Sequence, residues 1–394
     1  MSSTAFSGMA FSMQTLLVNW LLIGVLLLPA GQVGILQALI GIPGIFLMLW
    51  GGASADRTDP RSLLVRVYSM SPLLPLFLLV VDQVNALSVW AVAVWGVAMG
   101  VIVSFSAPAQ QAILNRVSGA ALQRGVSAAT GVAFVVQIGG FTLAGQMDQV
   151  GLSNVLLIQA ACLAVGAVAI RRIGAVPPPE DASQTSRLAT IAAGLRATLN
   201  NRVVFQILTI NLASSIFNAG AFNTVFPFII KRVYDGDAAL LGMMMAVFFA
   251  GAAFSNMVMY KLMPFAQPGK LFLIMQLSRI LIVLLLWLQP SWWLLVLVIV
   301  GWGVNMGFTT TLARTIVQES AEPAFRGRII SVFTLGMMGS APIGAIVLGF
   351  VIETFGTLNA LLPAMAVSLS LFLYGVFATR VWDYRSPGAV AAGG

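Results

Sequence analysis

The chain has 394 residues, of which 59% are hydrophobic and only 8% charged, and its formal net charge is +8. A soluble domain carries about 25% charged residues, so this composition excludes a water-soluble globular protein. The chain contains no histidine and a single cysteine, Cys162. We therefore expect no intrachain disulfide, no metal site and no cofactor.

Long stretches without charge divide the chain into apolar segments, beginning with residues 1–55, which contain no Lys, Arg, Asp or Glu. Such stretches accommodate pairs of segments of about 20 residues, the length that crosses the hydrocarbon core. The first apolar run has no basic region before it, so we expect a retained helix rather than a signal peptide. The prediction is an all-α membrane protein with twelve transmembrane helices, numbered helix 1 to helix 12. Their expected ranges are 5–28, 33–54, 62–81, 87–113, 125–147, 152–173, 203–230, 237–260, 270–289, 291–318, 328–352 and 357–379.

The distribution of basic residues predicts the orientation. With both termini in the cytoplasm, the inner loops and tail hold sixteen of the twenty Lys and Arg, and the outer loops hold only Lys231 and Arg232. This asymmetry is a strong positive-inside signal. Contact of the basic inner loops with the cytoplasmic leaflet explains the net positive charge. We therefore expect membrane lipid and no nucleic acid as a partner. The expected location is a bacterial-type plasma membrane.

A repeated hexapeptide indicates two related halves. WGVAMG at residues 95–100 returns as WGVNMG at residues 302–307, with five of six residues identical. Arg124-Gly125 before helix 5 likewise matches Arg326-Gly327 before helix 11. Matched segments running in the same direction are typical of parallel six-helix repeats, although two Gly-x-x-x-Gly patterns also arise by chance in apolar helices.

The longest polar segment separates these halves. We expect a first half at 1–174, a cytoplasmic linker at 175–202, a second half at 203–380 and a flexible tail at 381–394. VPPPEDASQTS has the composition of a linker. After it, apolar residues share one helical face, which predicts either a helix on the membrane surface or a solvated loop helix; they are Leu188, Ile191, Ala192, Leu195 and Leu199.

The loop between helices 2 and 3, GGASADRTDPR at residues 51–61, carries the most specific motif. Asp59-Pro60 predicts a helix start, because Asp caps and Pro at the first helical position loses no hydrogen bond. Gly52, Asp56, Arg57 and Arg61 match the signature of the major facilitator superfamily, and the chain resembles that superfamily over its whole length. The match departs at Asp59-Pro60.

Within the superfamily the chain is similar to the enterobactin-exporter type of efflux protein. The similarity rests on SAPAQQAIL in helix 4 and on EPAFRGRIISVFTLGMMGSAPIGAIVLG, which leads through helix 11. The resemblance implies that the signature acid, Asp56, closes an inner gate against the start of helix 11 near Arg328 and against Arg116 or Arg124. The alternative is that these charges only set topology. The matching loop of the second half, YKLMPFAQPGK, lacks the acid.

The resemblance also implies that helices 1, 4, 7 and 10 line a central cavity. Helix 7 has a polar stripe at Asn211, Ser214, Ser215 and Asn218. The other candidates are Ser12, Gln14, Thr15 and Asn19 in helix 1, Ser104 and Gln111 in helix 4, and Asn305 and Thr309 in helix 10. These residue types either line a water-filled pathway or hydrogen-bond between helices. Asn305 stands where the first hexapeptide has Ala98, which suggests an asymmetric substrate contact.

Two arginines fall inside predicted helices. Arg279 lies in the middle of helix 9, too deep to reach water easily, so it needs a partner or a function; we favour a structural role against helix 8 or 10. Arg314, near the inner end of helix 10, pairs with Glu319 or Glu322 or faces the cavity mouth. No acid lies in the middle of a helix, so any proton coupling must use a helix-end acid: Asp56, Asp148, Glu319 or Glu353.

These features favour a secondary transporter that works by alternating access as a monomer on a small-molecule substrate, most simply an exporter of siderophore-like or drug-like amphipathic molecules. A nutrient importer or facilitator on the same fold is the alternative. A membrane enzyme or sensor is disfavoured, because the sequence has no metal-ligand cluster, nucleophile-base pair or output domain. The absence of a Walker motif argues against direct use of ATP.

Overall fold

The structure, a computed structural model, describes the backbone of residues 2–57, 59–118, 122–172, 187–322 and 325–387. Within these ranges, side chains are described outside residues 2, 48–58, 114–130 and 187–191. All regular elements in these ranges are helical, which confirms the predicted all-α class.

The predicted helices are all found, with ends shifted by a few residues. Helices 1 to 6 are Ser2–Trp20, Ala30–Arg57, Pro60–Met70 continuing as Leu73–Gln83, Val89–Ser118, Leu122–Gly145 and Leu152–Arg171. Helices 7 to 12 are Arg202–Gly220 continuing to Arg232, Ala238–Leu262, Pro268–Trp287, Trp292–Ser320, Arg326–Phe355 and Leu362–Phe377. By length and composition, eleven candidate spans are found in the described part of the chain, and helix 5 contributes the shorter apolar segment Gly131–Gly145.

Helix 3 shows both the predicted start and an unpredicted interruption. The side chain of Asp59 accepts the backbone N–H of Arg61 at 3.0 Å, and Pro60 is the first helical residue, so the predicted cap is confirmed. The helix then breaks at Ser71 and Pro72, where we had expected one continuous helix. Pro72 causes the break, because proline has no N–H and its ring crowds the preceding turn.

Two π-helical turns give independent support for the repeat. Helix 1 ends in such a turn at Leu21–Val25, and helix 7 contains one at Ala221–Val225, 200 residues later. The packing partners correspond as well: helix 1 packs on helix 5 as helix 7 packs on helix 11, and helix 3 packs on helices 4 and 6 as helix 9 packs on helices 10 and 12. The two six-helix halves therefore share one architecture.

The repeated hexapeptide is a close-packing element in both halves. Its tryptophans are fully buried. A methyl group on Gly100 would lie 3.2 Å from the carbonyl oxygen of Ile40 in helix 2. One on Gly303 would overlap the carbonyl oxygen of Phe248 in helix 8. The repeat therefore conserves the close approach of helix 4 to helix 2 and of helix 10 to helix 8, as small residues commonly do in membrane proteins.

The described chain forms two compact units. Unit 1 contains Met1–Gln184 and Ile230–Ala246, and unit 2 contains Thr185–Ile229 and Val247–Gly394. Residues 230–246, which we had assigned to the second half, thus group with the first.

Two segments outside the spans pack within unit 2. The predicted linker helix is present at Arg187–Asn200, and it contacts helix 11 through Gly194, where a methyl would lie 2.6 Å from the carbonyl oxygen of Arg328. Residues 381–387, which follow helix 12, also contact unit 2: Val381 is fully buried, and the Ser386 hydroxyl donates to Glu319 Oε1 at 2.8 Å.

Candidate functional site

The polar stripe of helix 7 divides into engaged and unengaged residues. Ser214 accepts a hydrogen bond from Arg279 and donates to Gln276 Oε1 at 3.3 Å. Asn218 Oδ1 accepts the indole N–H of Trp302 at 2.8 Å. Asn211 and Ser215 form no side-chain hydrogen bond with any residue that the structure describes. The stripe therefore supplies two helix-bridging groups and two groups that have no hydrogen-bond partner among the described residues.

Arg279 is the centre of a buried polar cluster and is only 3% exposed. Its Nε and Nη2 donate to Asn305 Oδ1 at 3.3 and 3.2 Å, and its Nη1 donates to Ser214 Oγ and to Gln276 Oε1, the latter at 3.2 Å. None of these acceptors is a carboxylate. The guanidinium therefore joins helices 7, 9 and 10 through neutral oxygens, and its structural role stays a prediction.

Asn305 completes this cluster from the other side. Its Nδ2 donates to the carbonyl oxygen of Met275 at 2.7 Å and to the hydroxyl of Ser278 at 2.8 Å. The substitution that distinguishes the two hexapeptides thus serves Arg279 and helix 9. Thr309, the other candidate in helix 10, donates to the carbonyl oxygen of Asn305 within its own helix at 2.8 Å.

Sequence reasoning missed Gln276 as a member of this cluster. Gln276 is fully buried, and its Nε2 has no hydrogen-bond partner among the described residues. The available signal was its position one helical turn before Arg279, on the same face of helix 9.

Most helix 1 candidates also have partners inside the protein. Gln37 Nε2 in helix 2 donates to Asn19 Oδ1 at 2.6 Å, and the buried Gln159 in helix 6 donates to Gln14 Oε1 at 3.2 Å. Ser12 and Thr15 donate to carbonyl oxygens one turn earlier in helix 1. Of these four side chains, only Thr15 is exposed.

In helix 4, the hydroxyl of Ser104 donates to the carbonyl oxygen of Gly44 in helix 2 at 2.9 Å, a helix-bridging bond. Gln111 is exposed. The adjacent Gln110, which sequence reasoning missed, donates to the Tyr68 hydroxyl and, at 3.3 Å, to the Ser7 hydroxyl. Gln110 therefore links helices 1, 3 and 4.

The predicted inner gate is only partly visible. Gly52, Asp56, Arg57, Arg116 and Arg124 lie on helical backbone, but their side chains are outside the described set. The gate therefore stays a prediction.

Two gate arginines that are described have local contacts. Arg61 Nη2 donates to the carbonyl oxygen of Arg171 at the end of helix 6, at 2.8 Å. The guanidinium of Arg328 lies 5.4 Å from the ring centroid of Phe325. Arg61 thus ties helix 3 to helix 6, and Arg328 stacks at the start of helix 11.

Arg314 is exposed, and the structure describes no bond from it to Glu319 or Glu322. Glu319 instead accepts the Tyr384 hydroxyl at 3.2 Å and the Ser386 hydroxyl. Burial raises the pKa of Tyr384, and the neighbouring Glu319 adds to this, so the phenol stays protonated and can donate this bond. Glu319 therefore anchors the segment after helix 12.

Asp148 makes a contact that the sequence did not predict. This residue follows helix 5, and its Oδ2 accepts the backbone N–H of Ala238, the first residue of helix 8, at 2.8 Å. Its Oδ1 accepts the indole N–H of Trp20 at 3.3 Å, and the ammonium of Lys231 lies 5.2 Å from the centroid of that indole. The carboxylate therefore sits at the positive end of a helix dipole and joins a first-half loop to the second-half sequence.

Close backbone packing accompanies this contact. A methyl on Gly145, at the end of helix 5, would lie 3.0 Å from the carbonyl oxygen of Ala238 and 3.3 Å from Cα of Gly242. These distances are shorter than most Cβ contacts, so glycine favours this close approach of the two helix ends. We call Trp20, Gly145, Asp148, Lys231, Ala238 and Gly242 the outer contact, because topology predicts that these residues lie on the outer side.

Comparisons with known proteins agree with this architecture. A family model described as transmembrane secretion effector, of the major facilitator type, matches residues 2–388. A staphyloferrin A transporter from Staphylococcus aureus (strain NCTC 8325 / PS 47) is 23% identical over 322 residues, covering 80% of this chain and 79% of that protein. An enterobactin exporter, EntS, from Shigella boydii serotype 18 (strain CDC 3083-94 / BS512) is 27% identical over 334 residues, covering 81% and 76%.

Solved structures of transporters share the fold. A crystal structure of nucleoside transporter NupG matches with a TM-score of 0.73 at 14% identity, covering 97% of this chain and 99% of that chain. The xylose transporter XylE from E. coli, in an inward open conformation, matches with a TM-score of 0.72 at 12% identity, covering 98% and 96%. At these identities the likeness shows the fold alone.

Proposed function

The chain belongs to the transmembrane secretion effector family of the major facilitator superfamily, and from this premise we propose that it exports a small amphipathic molecule by alternating access. The relatives named as a staphyloferrin A transporter and an enterobactin exporter support a siderophore-like or drug-like substrate. The positive-inside distribution supports cytoplasmic termini in a bacterial plasma membrane. Transport, and no catalysis, is the proposed activity, with a monomer as the working unit.

The outer contact is the observation that best supports alternating access. A transporter of this kind closes one side of its substrate site while the other side is open. Asp148 accepts the first backbone N–H of helix 8 across the sequence boundary between the halves, and the glycines beside it bring the helix ends together. The charge-assisted bond and the dipole interaction of an exposed carboxylate at this position are worth about 1–2 kcal/mol, small enough to form and break during a transport cycle.

The inner counterpart of this contact is the gate at Asp56. Its carboxylate is proposed to face the start of helix 11, near Arg328, with Arg116 or Arg124 as a charged partner. One acid at each side would then act on a helix N-terminus of the second half: Asp148 on helix 8 and Asp56 on helix 11. The two acids would favour opposite states of the transporter.

The substrate is proposed to contact polar side chains that have no hydrogen-bond partner in the part of the chain that the structure describes. Asn211 and Ser215 on helix 7 satisfy this condition, and Thr15 on helix 1 is exposed. Such scattered polar groups on apolar helices suit an amphipathic molecule, because a few polar contacts orient a ligand that is otherwise held by apolar surface.

Cysteine labelling tests this assignment. In a Cys162→Ala background, Ser215→Cys, which replaces a half-buried residue, should react with a water-soluble thiol reagent several-fold faster than Ser214→Cys. Asn211 is as buried as Ser214, at 7% exposure, so Asn211→Cys should react faster than Ser214→Cys only when the transport cycle opens this face of helix 7 to water. The expected difference arises because Ser214 is enclosed by Arg279 and Gln276. Equal protection of all three cysteines would remove helix 7 from the pathway.

The direction of transport is tested by comparing metabolites in cells with and without the protein, inside the cells and in the medium. Export predicts that at least one small amphipathic compound accumulates inside the cells that lack the protein and declines in their medium. Depletion of such a compound inside those cells would instead establish the importer alternative.

A further inference from the structure

We propose that unit 2 contains a binding site for the phosphoryl group of an anionic phospholipid. A cavity of about 580 Å³ lies between the linker helix and the ends of helices 7, 10, 11 and 12, and its lining includes Arg196, Arg202 and Arg380. By the predicted topology it opens on the cytoplasmic side. This inference goes beyond transport and does not depend on whether the protein exports or imports its substrate.

The charge of the cavity favours an anion. Three arginines line it against one acid, Glu322, which leaves an excess of two positive charges. The three arginine side chains are exposed and form no hydrogen bond with any residue that the structure describes. A guanidinium binds phosphate oxygens in a bidentate manner, so the cavity offers three unused donors of the type that phosphoryl groups prefer.

The backbone at the start of helix 7 adds to the positive electrostatic potential of the cavity. Arg202 is the first residue of a 19-residue segment of helix 7, whose N-terminus carries a partial positive charge. The position of this terminus is fixed, because Asn201 Oδ1 caps the N–H of Val204 at 3.1 Å and its Nδ2 donates to the carbonyl oxygen of Ser320 at 2.8 Å. The cavity wall is therefore built by ordered elements.

The linker helix explains why the phosphoryl group is that of a lipid. Its small residues Gly194 and Thr198 are buried in unit 2, whereas Leu195 and Leu199 are 49% and 58% exposed. An amphipathic helix with exposed leucines beside basic residues lies in the membrane interface. A free phosphate ion would use the arginines but would gain nothing from the leucines, so an anionic lipid accounts for both features.

The experiment measures lipid retention by the full-length purified protein in native mass spectrometry. The wild type should retain phosphatidylglycerol over phosphatidylcholine by at least about tenfold, given the size of basic-residue effects at anionic lipid surfaces. The variant Arg196→Gln/Arg202→Gln/Arg380→Gln should lose this preference. The control Arg66→Gln/Arg172→Gln/Lys261→Gln removes the same charge from exposed sites outside the cavity and should keep it.

Two further measurements test the proposed site. Glu322→Gln removes the one acid in the lining and should increase phosphatidylglycerol retention, even if the triple variant unfolds. Inorganic phosphate alone is tested by thermal shift. Stabilisation by phosphate with the same arginine dependence, but without phosphatidylglycerol preference, would overturn the lipid assignment. Equal loss of retention in the triple variant and its control, or no gain in Glu322→Gln, would overturn the site.

Discussion

Replacing Arg279 with methionine should destabilise the second half by about 1–3 kcal/mol. The change leaves the buried Asn305 Oδ1 without its donor, whereas Ser214 still donates to Gln276 Oε1. Lysine keeps the charge but cannot reach acceptors on three helices at once, because it lacks the planar guanidinium fork. We expect Arg279→Lys to recover only part of the loss, as measured by thermal or SDS unfolding of the purified protein.

Asn305→Ala provides the complementary test, because it makes the two hexapeptides identical. If the hexapeptide served packing alone, this change would be nearly neutral. The structure predicts destabilisation, because Arg279 loses the acceptor of its Nε and Nη2. The double variant Arg279→Met/Asn305→Ala should lose less than the sum of the single variants, with a coupling of about 0.5–3 kcal/mol.

Thr334→Ala is the matched control, because this exposed hydroxyl bonds only to its own helix. Additive effects of Arg279→Met and Asn305→Ala would contradict the network. Normal stability of Arg279→Met together with lost transport would make Arg279 a substrate contact instead of a structural residue.

The second large effect is expected at the two gates, in opposite directions. Asp148→Asn keeps the shape but removes the charge that faces the N-terminus of helix 8. The loss of the dipole interaction and of the charge assistance in the bond from Ala238 N–H is about 1–2 kcal/mol, a five- to thirtyfold change in the ratio of two states. The variant should favour the state that is open to the outside.

Asp56→Asn should favour the state that is open to the inside. The carboxylate is expected at the start of helix 11, where the same dipole interaction applies, and a bond to Arg116 or Arg124 adds to it. Both variants should slow transport, because each holds the protein in one state, and both should insert normally into the membrane. Asp82→Asn, at the outer end of helix 3, serves as a charge-matched control.

Much of the fold could be predicted from the sequence, because in a membrane the distribution of charge and apolar length directly sets the helices. The Asp59-Pro60 cap and the repeat were visible in the same way. The break in helix 3 was also visible at Pro72 but was overlooked. The π-helical turns at Leu21–Val25 and Ala221–Val225 could not be predicted from the sequence, because a change from i+4 to i+5 hydrogen bonding leaves no clear sequence pattern.

The site was less predictable, because periodicity identifies the face of a helix but not the partner across from it. The polar stripe on helix 7 was recognised from the sequence. Which of its residues bridge helices could not be predicted, because that depends on residues far away in the sequence. Ser214 and Asn218 have such partners, whereas Asn211 and Ser215 have none among the described residues. The sequence showed that Asn305 replaces Ala98 of the first hexapeptide, but not that Asn305 accepts hydrogen bonds from Arg279, which is 26 residues away. Asp148 was recognised as a helix-end acid, but not as the acceptor of the first backbone N–H of helix 8.

Alternating access itself is tested most directly by measuring distances between spin labels on both sides of the membrane in the wild type and the two gate variants. One pair is placed at the inner ends of helices 4 and 10, and the other at the exposed residues Gln83 and Ser291 on the outer side. Asp148→Asn should lengthen the outer distance and shorten the inner one, and Asp56→Asn should do the reverse. Shifts in the same direction, or unchanged distances in both variants, would contradict two opposed gates.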